Sequence, residues 1–188
     1  LFDVNGDGKA DLTGCNPGWG CEKVIEHQLT AFDLRDSVTH NQGSYFALIA
    51  DTIGRFNRGE PILYYTWTPL WVSGILAPGE QVTWLNVPFT SHPSGLSEED
   101  TTLPDGTNVG FAINNIRIMG NKKFLDANPS AEKFFELVKI PVNDIGAQNK
   151  KMQDGEKSME DIKRHAQEWI TAHKAEFDGW VAEAKKAK

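Results

Sequence analysis

Apolar residues recur at helical spacing in two N-terminal stretches of the chain. From Glu22 the positions Val24, Ile25, Leu29 and Phe32 share one face. A polar interval from Asp33 to Asn41 follows, and then Phe46, Leu48, Ile49, Ile53 and Phe56 define a second helix. Ser44 is placed to cap it, and Gly59 ends it with Arg55 and Arg58 in the last turns. The period then changes. Pro61 to Trp67 is short and almost continuously apolar, as expected of a strand buried on both faces of a parallel sheet, and Thr68-Pro69 closes it. A short helical piece over Leu70 to Leu76 and a strand over Gln81 to Val87, carried by Val82, Trp84 and Leu85, come next. This alternation indicates an α/β arrangement with helices flanking a mainly parallel sheet.

Leu1 to Gly20 is rich in Gly, Asp and Asn and reads as loop. Phe89 to Asn108 is polar, with turns at Pro93-Ser-Gly95 and Pro104-Asp-Gly106, and marks a boundary. Val109 to Met119 is strand-like. Beyond it the pattern is helical: Asn128 and Pro129 start one helix that runs to Ile140, a second follows Pro141, and a third begins at Ser158. Lys185, Lys186 and Lys188 read as a frayed helix end. The expected division is an α/β ligand-binding lobe over 1–108 and a return segment with C-terminal helices over 109–188.

With 188 residues, 39% of them hydrophobic, the chain has enough apolar material for one or two domains. Its net charge of -7 provides no basic face able to track phosphates, so nucleic acid is not an expected partner. The longest apolar run, Tyr45 to Ala50, gives way to Asp51 and Arg55, far short of the roughly 20 residues a membrane span needs. A soluble chain is expected. Leu1-Phe2-Asp3-Val4 is neither an initiator methionine nor a signal sequence, which suggests further residues upstream. Cys15 and Cys21, the only cysteines, are either two buried thiols or a disulfide. The second reading is favoured because the pair brackets a Gly/Pro-rich turn that a short cross-link would hold, at a gain of about 2 kcal/mol. An oxidising compartment follows from it.

The candidate chemistry starts in that turn. Asn16-Pro17-Gly18-Trp19-Gly20-Cys21 leads directly into a helix, so the amides of Gly20, Cys21 and Glu22 are free donors at the positive end of a helix dipole. A carboxylate or phosphate suits such a place, although a plain helix-entry turn has the same sequence. Trp67 strengthens the first reading, because it ends an expected parallel strand, where open α/β sheets hold ligands. Trp71, Trp84, Trp169 and Trp180 lie within apolar patterns and are assigned to the core. Two indole faces beside helix-end amides match a zwitterion with a quaternary ammonium head, which has no N–H to offer a carboxylate and needs aromatic faces instead.

Asp3, Asn5, Asp7 and Asp11 fall at positions 1, 3, 5 and 9 of a calcium-binding loop, with Gly8 at 6 and the Lys9 carbonyl at 7. Position 12 is Gly14, so the bidentate glutamate is missing. A weak structural calcium site and a solvated acidic turn stand even. The histidines are scattered without metal-ligand spacing, and no hydrolase motif occurs. A carbohydrate-active enzyme would need paired carboxylates that nothing in the sequence brings together.

Asp3 to Cys21, Thr39-His-Asn-Gln-Gly43, Tyr64-Tyr-Thr-Trp-Thr-Pro69, Pro141-Val-Asn-Asp-Ile145, Ala147-Gln-Asn149 and Phe177-Asp-Gly-Trp180 together resemble the glycine betaine/proline betaine-binding proteins of ABC importers, the ProX type. The resemblance implies a periplasmic protein of the type II binding-protein α/β fold that delivers glycine betaine or proline betaine to an ABC permease driven by its ATPase. Such a protein is not an enzyme, requires no cofactor beyond a possible structural calcium, and meets the membrane only through the permease. A secreted calcium-stabilised binding module is the alternative. Trp19 and Trp67 match two walls of the family's tryptophan box, the Gly20 and Cys21 amides match its carboxylate turn, and Cys15 with Cys21 matches its disulfide. The third box tryptophan belongs to an N-terminal segment absent from this sequence. The chain thus corresponds to one nearly complete lobe plus the helical C-terminal part of the other, and the incompletely covered sheet of the latter invites self-association.

Overall fold

A computed structural model describes residues 1–95 and 99–187. Lys188, counted above with the frayed helix end, lies outside the described residues. In chain order the elements are β1 (Ala10–Thr13), α1 (Gly20–Ala31), β2 (Val38–Asn41), α2 (Tyr45–Asn57), a 3-10 turn (Trp71–Gly74), α3 (Lys122–Ala127), α4 (Pro129–Leu137), α5 (Val142–Gln153), α6 (Met159–Ala172) and α7 (Lys174–Ala184). They fall into two compact units. One comprises Leu1–Trp67 with Leu76–Asn114, the other Thr68–Ile75 with Asn115–Lys188.

The first unit is built on a short parallel pair in which β1 runs alongside β2 from Ala10↔Val38 to Thr13↔Asn41. Both strands lie in stretches that read as loop from the sequence, because four residues are too few to display an alternating pattern. Helix α1 buries Cys21, Val24, Ile25, Gln28 and Leu29, and α2 buries Tyr45, Ile49, Thr52 and Arg55. Ile49 and Tyr45 are fully inaccessible. Ser44 stands at the N-cap of α2 but its side chain makes no capping bond. Instead the first helical amide, that of Tyr45, donates to Asn16 Oδ1 at 2.8 Å, so the turn carrying Trp19 caps α2 from a distance.

Pro61 to Trp67 does not form the doubly buried strand expected of it. It is a half-buried rail that touches β1 at one parallel bridge, Thr13↔Tyr64. The Thr13 N–H donates to the Leu63 carbonyl at 2.9 Å and the Tyr65 N–H donates back to the Thr13 carbonyl at 2.8 Å. The ladder goes no further because the other amide on this edge of β1, that of Asp11, already donates to the Phe2 carbonyl at 2.9 Å. Arg55 fixes the start of the rail by donating to the Pro61 carbonyl at 2.8 Å.

The other two expected strands are also absent. Around Gln81 to Val87 the chain folds into a turn, with the Gly79 amide donating to Val82 and the Gln81 amide to Ala77, and Asn108 is met by the Val87 amide and by Asn86 Oδ1. The turn needs the φ of +89° that Gly79 adopts. Val109 to Met119 forms no strand: it bends at Gly110, whose φ is +71°, and Ile116, Ile118 and Met119 are exposed.

Asp11 fastens β1 to its surroundings. Its carboxylate accepts from the Val4 amide at 2.7 Å and from Asn41 Nδ2 at 2.9 Å. The Asn41 bond first and the Val4 amide second hold this carboxyl below its ordinary pKa. A folded-state pKa lower than the unfolded one stabilises the fold above the ordinary carboxylate range, and that stabilisation is lost as pH falls through the folded value. Acid unfolding of the first unit is therefore expected to become shallower in Asp11→Asn. An identical acid limb for both proteins, followed by circular dichroism, would exclude Asp11 as a contributor.

The second unit is helical, as its sequence indicates. Helix α5 packs on the 3-10 turn and α4 on α7, where Phe134 and Phe177 meet edge to face at 5.8 Å. Ser158 and Asp161 form a reciprocal capping box at the start of α6. His173 ends α6 and begins α7, a break that the polar sequence around it does not announce. Trp169 stacks on Trp180 at 6.1 Å and donates its indole N–H to Asp144 at 2.8 Å. Trp71, Trp84, Trp169 and Trp180 are half-buried rather than enclosed.

Candidate functional site

Within the first unit Trp19, Gly20, Cys21, Tyr65 and Trp67 line a cavity of about 260 Å³. Three local structures converge there. The turn ahead of α1 supplies Trp19, the first turn of α1 supplies Gly20 and Cys21, and the end of the Pro61 to Trp67 rail supplies the other two aromatic rings. Every ligand-contact residue expected from the sequence is in this lining. Tyr65 is the addition. It belongs to the same apolar run as Trp67, and alternation in an extended chain puts residues 65 and 67 on one side.

The disulfide between Cys15 and Cys21 is formed, across a sequence separation of 6 residues. It closes the Gly/Pro-rich turn and fixes Cys21 at the mouth of α1. Trp19 occupies the N-cap position without a capping side chain, and Gly20 and Cys21 begin the helix. Helix geometry leaves the N–H groups of this first turn without intrahelical acceptors. Glu22 bends back to accept from the Gly18 amide at 2.6 Å, which directs its charge to the turn.

The indoles of Trp19 and Trp67 meet at 68° with ring centroids 6.2 Å apart and so form a corner. Tyr65 extends the Trp67 wall at 5.9 Å and 35° and is itself backed by Phe111 at 5.1 Å. No charged side chain belongs to the lining. Beside the Tyr65 phenol its polar feature is the helix end, whose partial positive charge favours an anionic group. The aromatic faces favour a cation. A small molecule carrying both charges a few ångströms apart matches this layout.

The acidic loop is closed on itself. Asp3 accepts from the amides of Gly6, Asp7 and Gly8, Asn5 from that of Asp7, and Asp7 from that of Lys9. Asp11, the fourth oxygen donor expected of a calcium loop, accepts from the Val4 amide, from Asn41 and, at 3.4 Å, from Asn5 Nδ2. Among the described residues no three His, Cys, Asp or Glu side chains gather as a metal site. Gly14, at the twelfth loop position, packs against His40: a Cβ there would stand 1.9 Å from His40 Nε2. The His40 side chain is 2% exposed and is held through Nδ1 by Glu26 at 2.7 Å.

A mixed α/β chain whose pocket combines aromatic faces with helix-end amides has the construction of a substrate-binding domain. The family model for the substrate-binding domain of ABC-type glycine betaine transport systems matches residues 2–172, and the chain belongs to this family. It is 56% identical over 187 residues to the glycine betaine-binding periplasmic protein OusX of Dickeya dadantii. It is also 56% identical over 184 residues to the glycine betaine/proline betaine-binding periplasmic protein of Escherichia coli, and 53% identical over 184 residues to that of Salmonella typhimurium. These alignments cover 98 to 100% of this chain but 56% of each relative. The chain thus spans about half the length of the curated relatives it matches.

Proposed function

We propose that the chain forms part of the substrate-binding component of an osmoprotectant ABC importer, acting in the periplasm by binding rather than by catalysis. Its ligand is glycine betaine or proline betaine, and its partner is the permease with its ATPase. In type II binding-protein terms, residues 1–108 carry most of one ligand-binding lobe, and 109–188 supply the return segment and C-terminal helices of the other. The observation that carries this reading is the corner of Trp19 and Trp67 set beside the Gly20 and Cys21 amides. The indoles take the quaternary ammonium and the amides take the carboxylate.

The expected strength follows from the parts. A desolvated indole face contributes about 2 kcal/mol towards a cation, and a partly buried helix N-terminus up to about 2 towards a carboxylate. Two faces and one helix end therefore provide roughly 6 kcal/mol before the cost of immobilising the ligand. Micromolar affinity corresponds to about 8 net. The 188-residue chain is expected to bind glycine betaine in the millimolar range, read by tryptophan fluorescence and ligand-detected NMR. Uncharged analogues of the same size should not compete. The reading requires no metal, so a chelator should leave the titration unchanged; chelator-sensitive binding restored by calcium would instead give the Asp3, Asn5 and Asp7 loop an ion. Turnover of the ligand, or no response to any betaine, would remove the proposal.

A further inference from the structure

We propose that Tyr45 is the positioning residue of the aromatic corner, setting the angle and separation of Trp19 and Trp67 without touching the ligand. The inference rests on reading that corner as the betaine pocket. Tyr45 is fully buried and is not part of the cavity lining. Its ring lies behind both walls, 4.9 Å from Trp67 and 6.1 Å from Trp19 by ring centroids, at interplanar angles of 37° and 33°. A third neighbour, Tyr65, stands at 6.3 Å. All three aromatic lining residues therefore rest on this one side chain.

Its polar groups tie together the two segments that bear the tryptophans. The Tyr45 backbone N–H donates to Asn16 Oδ1, in the turn that carries Trp19. Its phenol donates to Thr66 Oγ1 at 3.0 Å, with the Tyr65 carbonyl also in reach at 3.3 Å. These contacts fall between the last ladder bond of the rail, at Tyr65, and Trp67 itself. The phenol is thus the final tether before the wall residue. Burial pushes the Tyr45 pKa up, which keeps the hydroxyl protonated and able to donate. Neighbouring Tyr64 is a control of matched chemistry, since its hydroxyl is buried with no hydrogen-bond partner among the described residues.

The test compares Tyr45→Phe, Thr66→Val and their double variant with Tyr64→Phe in the 188-residue chain. Three readouts are taken: thermal stability, the far- and near-ultraviolet circular dichroism couplet of the Trp19 and Trp67 pair, and betaine affinity. Trp19→Phe identifies the couplet. Loss of the phenol is expected to alter the couplet and weaken betaine binding about fivefold in Tyr45→Phe, the equivalent of one net hydrogen bond, and by no more than that in Thr66→Val, where the phenol keeps the Tyr65 carbonyl. The double variant should lose no more than Tyr45→Phe alone, because that substitution already removes the phenol's contacts to both Thr66 and the Tyr65 carbonyl. Tyr64→Phe should leave couplet and affinity in place. A fall in melting temperature with the couplet unchanged would reduce Tyr45 to a core residue and overturn the proposal. If wild-type chain binds no betaine, the proposed ligand fails while the couplet still decides the role of Tyr45.

Discussion

Replacing Trp67 with alanine is expected to weaken glycine betaine binding about thirtyfold, the equivalent of the roughly 2 kcal/mol that a desolvated indole contributes to a cation. Trp84→Ala should change it by less than about twofold. The two residues are matched in type and both are half-buried, yet only Trp67 lines the cavity. Trp67 also meets Trp19 edge to face, so its removal opens the corner as well as deleting a wall. Calorimetry on a version completed to the length of the relatives gives the cleanest number, and ligand-detected NMR gives the ranking in the 188-residue chain. Equal losses at both positions would remove Trp67 from the site.

Cys15→Ser with Cys21→Ser is the second large change. A cross-link spanning so few residues restrains the unfolded chain by about 2 kcal/mol, and the first unit should lose about that much stability. Binding should suffer beyond the stability loss, because Cys21 stands in the first turn of α1 and belongs to the lining. Without the cross-link the Asn16 to Gly20 turn gains freedom just where the helix-end donors must stay aligned. Reduction of the unmodified chain should reproduce both effects, and reoxidation should reverse them. A reduced chain that melts at the same temperature and binds equally well would show that the turn is held by packing alone.

The longer helices were legible because each repeats its signal over several turns, whereas the six residues of α3 and the break between α6 and α7 at His173 were not. Val24, Ile25 and Leu29 in α1, and Ile49 with its neighbours in α2, declare a face that tertiary structure then buries. The sheet was not. Strands β1 and β2 are four residues each, and half of β1 is polar because Asp11 and Thr13 are buried within it. The rail from Pro61 to Trp67 looked like a central strand because its residues are apolar, but their partners are aromatic rings more than a neighbouring strand. The site was legible in part for the same reason. A Gly/Pro turn before a helix and a tryptophan after an apolar run can be read locally, whereas the contribution of Tyr45 and the capping of α2 by Asn16 depend on contacts 20 to 29 residues apart. Tyr65 had a local signal, its two-residue spacing from Trp67, which points both side chains the same way.

The close fit of Gly14 against His40 has an evolutionary meaning. A side chain at position 14 would begin inside the imidazole, and the Asn41 carbonyl stands 3.2 Å from the same point. His40 has little freedom to retreat, being enclosed and bound to Glu26. A saturation library at position 14 should therefore return glycine alone unless position 40 is randomised with it, and survivors of the paired library should carry a small residue at 40 whenever 14 has grown. The acidic residue that would complete a twelve-position calcium loop falls at this same site. Ancestry through a full calcium-binding loop, or drift towards one, would thus have to pass through a coordinated change at both positions.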